Sequence, residues 1–159
     1  MSAGHDTSTR TVWIDPSDEE TVLVIEQRLL PFEYEEVPIR TTEEMTVAIA
    51  DMVVRGAGCI GASAGYGMYL AALESRDLEG AAAATHLAQM GAMLEASRPT
   101  AVNLTWAVQR QLRELSGISN GEARVARARE VADEIADEDI AYCAAIGQYG
   151  LDVIREIYD

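Results

Sequence analysis

The sequence contains no lysine: all 12 basic residues are arginine, against 27 acidic ones, for a formal net charge of -15. A surface so acidic repels phosphate backbones and anionic lipid headgroups, so neither nucleic acid nor a membrane is expected as a partner. Cysteine is scarce. Cys59 and Cys143 stand far apart with no CxxC pair, which excludes a disulfide framework and metal-site spacing. His5 and His86 are the only histidines and are equally distant, so no metal site is expected. There is no run long and apolar enough to span a bilayer, and Met1 to Thr9 lacks a hydrophobic signal region. A cytoplasmic location in a reducing compartment follows as the expectation.

Aromatics make up only 6% of the chain, while hydrophobic residues reach 48%, drawn mostly from Ala, Leu, Ile and Val. That composition supports a sizeable core and suits close-packed helices better than an all-β sandwich. Residues 1–9 read as a loose tail. Three strands are expected, at Arg10–Ile14, Thr21–Gln27 and Tyr34–Arg40. The turn signal Asp15-Pro16-Ser17-Asp18 follows the first, and Leu30-Pro31 lies between the second and third.

From Thr41 the texture becomes helical. Thr41-Thr42-Glu43-Glu44 has the form of a capping box, and Met45, Ile49, Met52 and Val53 share one helical face, with a stop expected near Arg55-Gly56. A small-residue helix is expected from Ile60 to Glu74, one from Leu78 to Ala96 capped by Asp77, and one from Ala101 to Leu115. A single long helix is expected from Glu122 to Tyr158, with Gly147 and Gly150 as candidate kinks. Strands first and helices after, without βα alternation, predict an α+β domain over residues 10–159: a small antiparallel sheet (10–40) followed by a helical bundle (41–159).

Two stretches can carry chemistry. Arg55-Gly56-Ala57-Gly58-Cys59-Ile60-Gly61 places glycines and an arginine at a helix start, where free amides and the helix dipole favour an anion. Its spacing is neither a Walker loop nor a dinucleotide fingerprint, and in local terms a tight turn between packed helices is the favoured explanation. Ser97-Arg98-Pro99-Thr100-Ala101 sets a second arginine beside a second helix start, with Pro99 suited to the first turn and Ser97 or Thr100 able to cap. The alternative there is a surface arginine next to a capping turn. If the two sites meet in space, they clasp a phosphate.

Other features read more plainly. Cys59 and Cys143 are expected as small core side chains and Trp106 and Tyr66 as core or interface anchors. The acidic run from Asp133 to Asp139 is expected as a solvated helix face.

Gln27-Arg28-Leu29-Leu30-Pro31, then Asp51-Met52-Val53-Val54-Arg55-Gly56-Ala57 running on to Ile60-Gly61, then Arg98-Pro99-Thr100-Ala101-Val102-Asn103-Leu104 resemble the N-terminal part of methylthioribose-1-phosphate isomerases. The last stretch is the specific one. The Arg-Gly-Ala turn is shared with ribose-1,5-bisphosphate isomerases and with regulatory subunits of translation initiation factor 2B.

The resemblance implies an aldose–ketose isomerase of methionine salvage, without cofactor, typically dimeric. Arg55, Gly56 and Ala57 would contact the sugar 1-phosphate and Arg98 would bind its phosphate. It also implies a following Rossmann-like domain that carries the catalytic cysteine and aspartate. Those two residues fall beyond the position matching Tyr158-Asp159, so this chain is expected to contain no catalytic residue of its own and to need a C-terminal catalytic domain or chain. Gly58 and Cys59 depart from the proline and alanine usual in the family. The rival expectation is a non-catalytic binding or assembly module like the initiation-factor subunits, or an isomerase domain for another 1-phosphorylated pentose.

Overall fold

The computed structural model describes residues 10–158, so the tail expected at 1–9 lies outside the described residues. The architecture is α+β as expected: a three-stranded antiparallel meander, β1 (Val12–Asp15), β2 (Asp18–Ile25) and β3 (Glu36–Ile39), followed by five helices. Register sets Val12 opposite Val24 and Val22 opposite Ile39, and these four side chains are buried on the face that meets the helices. The β1–β2 turn is held as the sequence implies, with the Ser17 amide donating to Asp15 Oδ1 at 2.8 Å. The Ser17 hydroxyl, donating to the same oxygen, and then that amide bond lower the Asp15 pKa.

Helix α1 (Thr42–Ala50) begins with the expected capping box: the Glu44 amide donates to Thr41 Oγ1 and the Thr41 amide to Glu44 Oε2. It ends several residues earlier than the apolar periodicity suggests. Met52 turns into the left-handed region at φ 60°, and the Val53 amide closes back onto the Ala48 carbonyl at 2.9 Å. A methionine therefore takes the exit position that glycine usually holds.

Helix α2 (Ala57–Glu74) is the hub, buried continuously from Ile60 to Ala72. Gly65 permits the close approach of the last helix: a Cβ there would lie 3.2 Å from Ile135 Cδ1. Helix α3 (Gly80–Ser97) starts after Glu79 rather than at Asp77, and buries Leu87 and Leu94. Helix α4 (Val102–Leu115) sends the fully buried Gln111 inward, where Nε2 donates to the Gly65 and Ala128 carbonyls at 3.0 and 2.9 Å. Helix α5 (Gly121–Tyr158) is continuous, and neither Gly147 nor Gly150 interrupts it.

The proximal half of α5 packs on α2 through Ala128, Val131, Ala132 and Ile135. Its Arg124 is 1% exposed and donates to the carbonyls of Ser75, Leu78 and Ile118, joining the exits of α2 and α4. From Ile140 onward the helix leaves the bundle. Cys143, expected in the core, is exposed for that reason. Trp106 is half-exposed, with the Arg110 guanidinium 5.5 Å over its ring. The acidic run is solvated only in part: Arg10 pairs with Asp133 and Asp137, and Arg110 with Glu134 and Glu138. Beneath Arg10, the buried Tyr66 hydroxyl donates to Asp133 at 2.6 Å, and burial followed by that carboxylate raises the Tyr66 pKa.

Candidate functional site

Two helix N-termini face one groove. Gly56 precedes α2 at φ 92°, a conformation that disfavours any side chain, and no side chain caps the helix. The first intrahelical bond runs from the Ile60 amide to the Gly56 carbonyl at 2.9 Å, which leaves the amides of Ala57, Gly58 and Cys59 directed beyond the helix end. Helix α4 likewise begins without a side-chain cap. Pro99 is not in its first turn but in the turn before it, closed by the Ala101 amide donating to the Arg98 carbonyl at 2.9 Å. Ser97 spends its hydroxyl on the Leu94 carbonyl, so neither Ser97 nor Thr100 takes the expected capping role.

The α1–α2 and α3–α4 connections meet around an open groove of about 440 Å³, lined by Gly56, Ala57, Ile60, Arg98 and the stretch from Thr100 to Asn103. Arg98 is its one ionisable lining residue. Among the described residues no carboxylate lies within ion-pair distance of Arg98, although the chain is strongly acidic. A guanidinium without a counterion beside two uncapped helix N-termini is a complementary environment for a compact anion.

Of the four expected site residues, Gly56, Ala57 and Arg98 come together in this way. Arg55 does not line the groove: its amide donates to Gln27 Oε1 at 3.0 Å and its Nε to the Met52 carbonyl at 3.3 Å. Gln27 supports the turn, a role that no local sequence pattern marks. Besides accepting from Arg55, its Nε2 donates to Cys59 Sγ at 3.3 Å, so one amide side chain staples both ends of the turn. Thr11 Oγ1 donates to the same sulfur at 3.2 Å. Cys59 is thus a partly buried acceptor of two hydrogen bonds. A cleft lined by Gly58, Asn103, Trp106, Asp139 and Tyr142 adjoins the groove through Asn103. No local signal marks Asp139, because it arrives from a helix far along the chain.

An antiparallel meander fused to a bundle around a small-residue helix, with an open groove between two helix starts, defines an α+β class. The Initiation factor 2 subunit family model matches residues 53–158, and the chain belongs to that family. Methylthioribose-1-phosphate isomerase of Rhodospirillum centenum is 42% identical over 149 residues, covering 94% of this chain and 38% of that protein. The isomerase of the same name from a Picosynechococcus species is 40% identical over 139 residues, covering 87% and 40%.

Among solved structures, 5-methylthioribose 1-phosphate isomerase from Pyrococcus horikoshii matches at TM-score 0.81 and 35% identity, covering 92% of this chain and 41% of that one. Translation initiation factor eIF-2B subunit delta from A. fulgidus matches at TM-score 0.67 and 32% identity, covering 83% and 36%. The chain therefore spans about two fifths of the length of the curated relatives it matches.

Proposed function

We propose that this chain is the substrate-phosphate-binding portion of an aldose–ketose isomerase that converts methylthioribose 1-phosphate to methylthioribulose 1-phosphate in methionine salvage. The observation that carries the reading is the groove where Arg98, without an ion-pair partner among the described residues, meets the uncapped starts of α2 and α4. In this reading Arg98 holds the phosphate, the amides around Gly56 and Ala57 share its charge, and Arg55 swings from Met52 to join them once substrate arrives. Moving a proton between sugar carbons needs a positioned acid–base group. Arg98 cannot supply one near neutral pH, so a C-terminal catalytic domain or chain completes the site. The assembly is a cytoplasmic dimer, as the family resemblance implies.

The direct test measures isomerisation by this chain alone and after adding the C-terminal portion of a relative. Activity only on mixing supports the reading. Calorimetric titration with the sugar phosphate tests the site itself: Arg98→Ala should weaken binding by about 1.5–3 kcal/mol, the scale of a charged hydrogen bond, and unchanged affinity would overturn the assignment. The likeness to the A. fulgidus subunit favours a second reading, a non-catalytic assembly module. A chain that ignores sugar phosphates yet binds a regulatory protein would establish it.

A further inference from the structure

At the end of the bundle opposite the Arg98 groove lies a second pocket, where α3 begins and α4 ends. Helix α4 alone, with 14 residues at about 1.5 Å each, sets the two roughly 20 Å apart. The pocket has a volume of about 320 Å³. Ala83, Ala84 and Leu87 of α3, Leu112 and Leu115 of α4, and Ile118 of the following turn give it apolar walls. A single ionisable residue joins them, Arg124 of α5.

Arg124 is buried, and its hydrogen bonding is incomplete. Nη2 donates to the Ser75 and Leu78 carbonyls, and Nη1 to the Ile118 carbonyl at a long 3.4 Å. Nε, equally buried, has no partner. A guanidinium carries five N–H bonds, so the Nε hydrogen and one on Nη1 remain unclaimed. No carboxylate stands within ion-pair distance among the described residues, in a chain with 27 acidic residues. Carbonyls at the exits of α2 and α4 offset part of the charge. A buried cation gains most from an anion that also completes its hydrogen bonds.

The walls choose among anions. A phosphate spreads its charge over several oxygens, most of which would lose water against hydrocarbon. A carboxylate on an aliphatic chain carries its charge at one end, as the pocket does, and its plane matches the guanidinium fork. At about 30 Å³ per water-sized group, the volume takes roughly ten heavy atoms, two oxygens and about eight carbons. We propose that this pocket is a second ligand site, which takes a medium-chain aliphatic carboxylate. The head group accepts from Arg124 Nε and Nη1, and the chain lies against Leu87, Leu112, Leu115 and Ile118. Because Arg124 already ties the α2–α3 connection to the α4–α5 turn, the ligand tightens the junction of four helices. The site is independent of whatever the Arg98 groove binds.

Titration with octanoate, followed by the NMR signal of the Arg124 Nε–H group, reads the contact directly. Octanoate should shift that signal saturably and slow its exchange with water, and 1-octanol, which keeps the chain and lacks the charge, should bind at least tenfold more weakly. Removing Arg124 endangers the fold, so the pocket is blocked from its exposed wall instead. Ala84→Phe should abolish octanoate binding and leave the Tm unchanged. Arg98→Ala should leave octanoate binding unchanged while abolishing that of a sugar phosphate, so the two sites fail separately. An Arg124 signal that stays unmoved in millimolar octanoate overturns the inference. So does equal affinity for 1-octanol, since the pocket is then merely apolar. Binding that survives Ala84→Phe and disappears in Arg98→Ala overturns it as well, because the acid then occupies the groove.

Discussion

The Asp139 carboxylate occupies the space in which a side chain on Gly58 would begin: a Cβ built there would overlap it. An acidic group of the last helix thus lies against the first turn of α2, next to amides that would otherwise be free for an anion. Asp139→Asn should raise affinity for inorganic phosphate by a few-fold, the scale of about 0.3–1 kcal/mol for a charge beside a helix terminus. Gly58→Ala, which forces the carboxylate aside, should act in the same direction. Calorimetry on both variants decides; weaker binding in Asp139→Asn would show that the carboxylate assists the site.

Gln27 joins the end of the sheet to the Arg55–Cys59 turn through two side-chain bonds. Gln27→Ala should destabilise the chain by about 1–2 kcal/mol, because the Arg55 amide loses its acceptor. Gln27→Glu keeps that acceptor and should cost less. Urea unfolding distinguishes them, and equal losses would show that the Cys59 contact carries the effect.

Arg124 is buried with three backbone carbonyls as partners and no carboxylate among the described residues. Arg124→Met leaves the ends of α2 and α4 without donors and should destabilise by about 3 kcal/mol or more. Arg124→Lys should recover little, because a single ammonium cannot span carbonyls that the planar fork reaches together. Full recovery by lysine in thermal unfolding would contradict this account.

Glu26 is buried beside Arg28, whose guanidinium hydrogen bonds hold its pKa below the usual 4.5. A carboxylate whose folded pKa is depressed contributes stability that is fully present above its unfolded value and lost as pH falls through the folded one. Stability should therefore decline on acidification below about pH 4.5, the unfolded value. Arg28→Ala should flatten this part of the profile while lowering stability at pH 7. A Tm-versus-pH series of the two proteins that runs parallel below pH 5 would rule out Glu26 as a contributor.

Local rules read the sheet, the capping box at Thr41 and the long last helix correctly, because each rests on neighbours in sequence. They mislaid the end of α1, where Met52 adopts a glycine-like turn that its side chain does not advertise. They placed Cys143 in the core because its neighbours are apolar. Periodicity cannot distinguish a helix face that meets its own bundle from one that waits for another body. At the candidate site, the two arginine-bearing stretches were legible as helix starts, and Gly56, Ala57 and Arg98 do share a groove. The orientation of Arg55, the Gln27 staple and the approach of Asp139 depend on contacts across the fold, which no local pattern encodes.

Arg10 donates to Tyr66 on α2 and to Asp133 on α5, a partner 123 positions further along the chain. On a ribosome that emits the chain from its beginning, Arg10, just ahead of the sheet, cannot reach Asp133 until about the first third of the last helix has emerged. The lead-in to the meander waits, half-anchored on Tyr66, for that element to begin. Synthesis order thus makes the emergence of the proximal part of α5, rather than formation of the sheet, the step that fastens Arg10 fully.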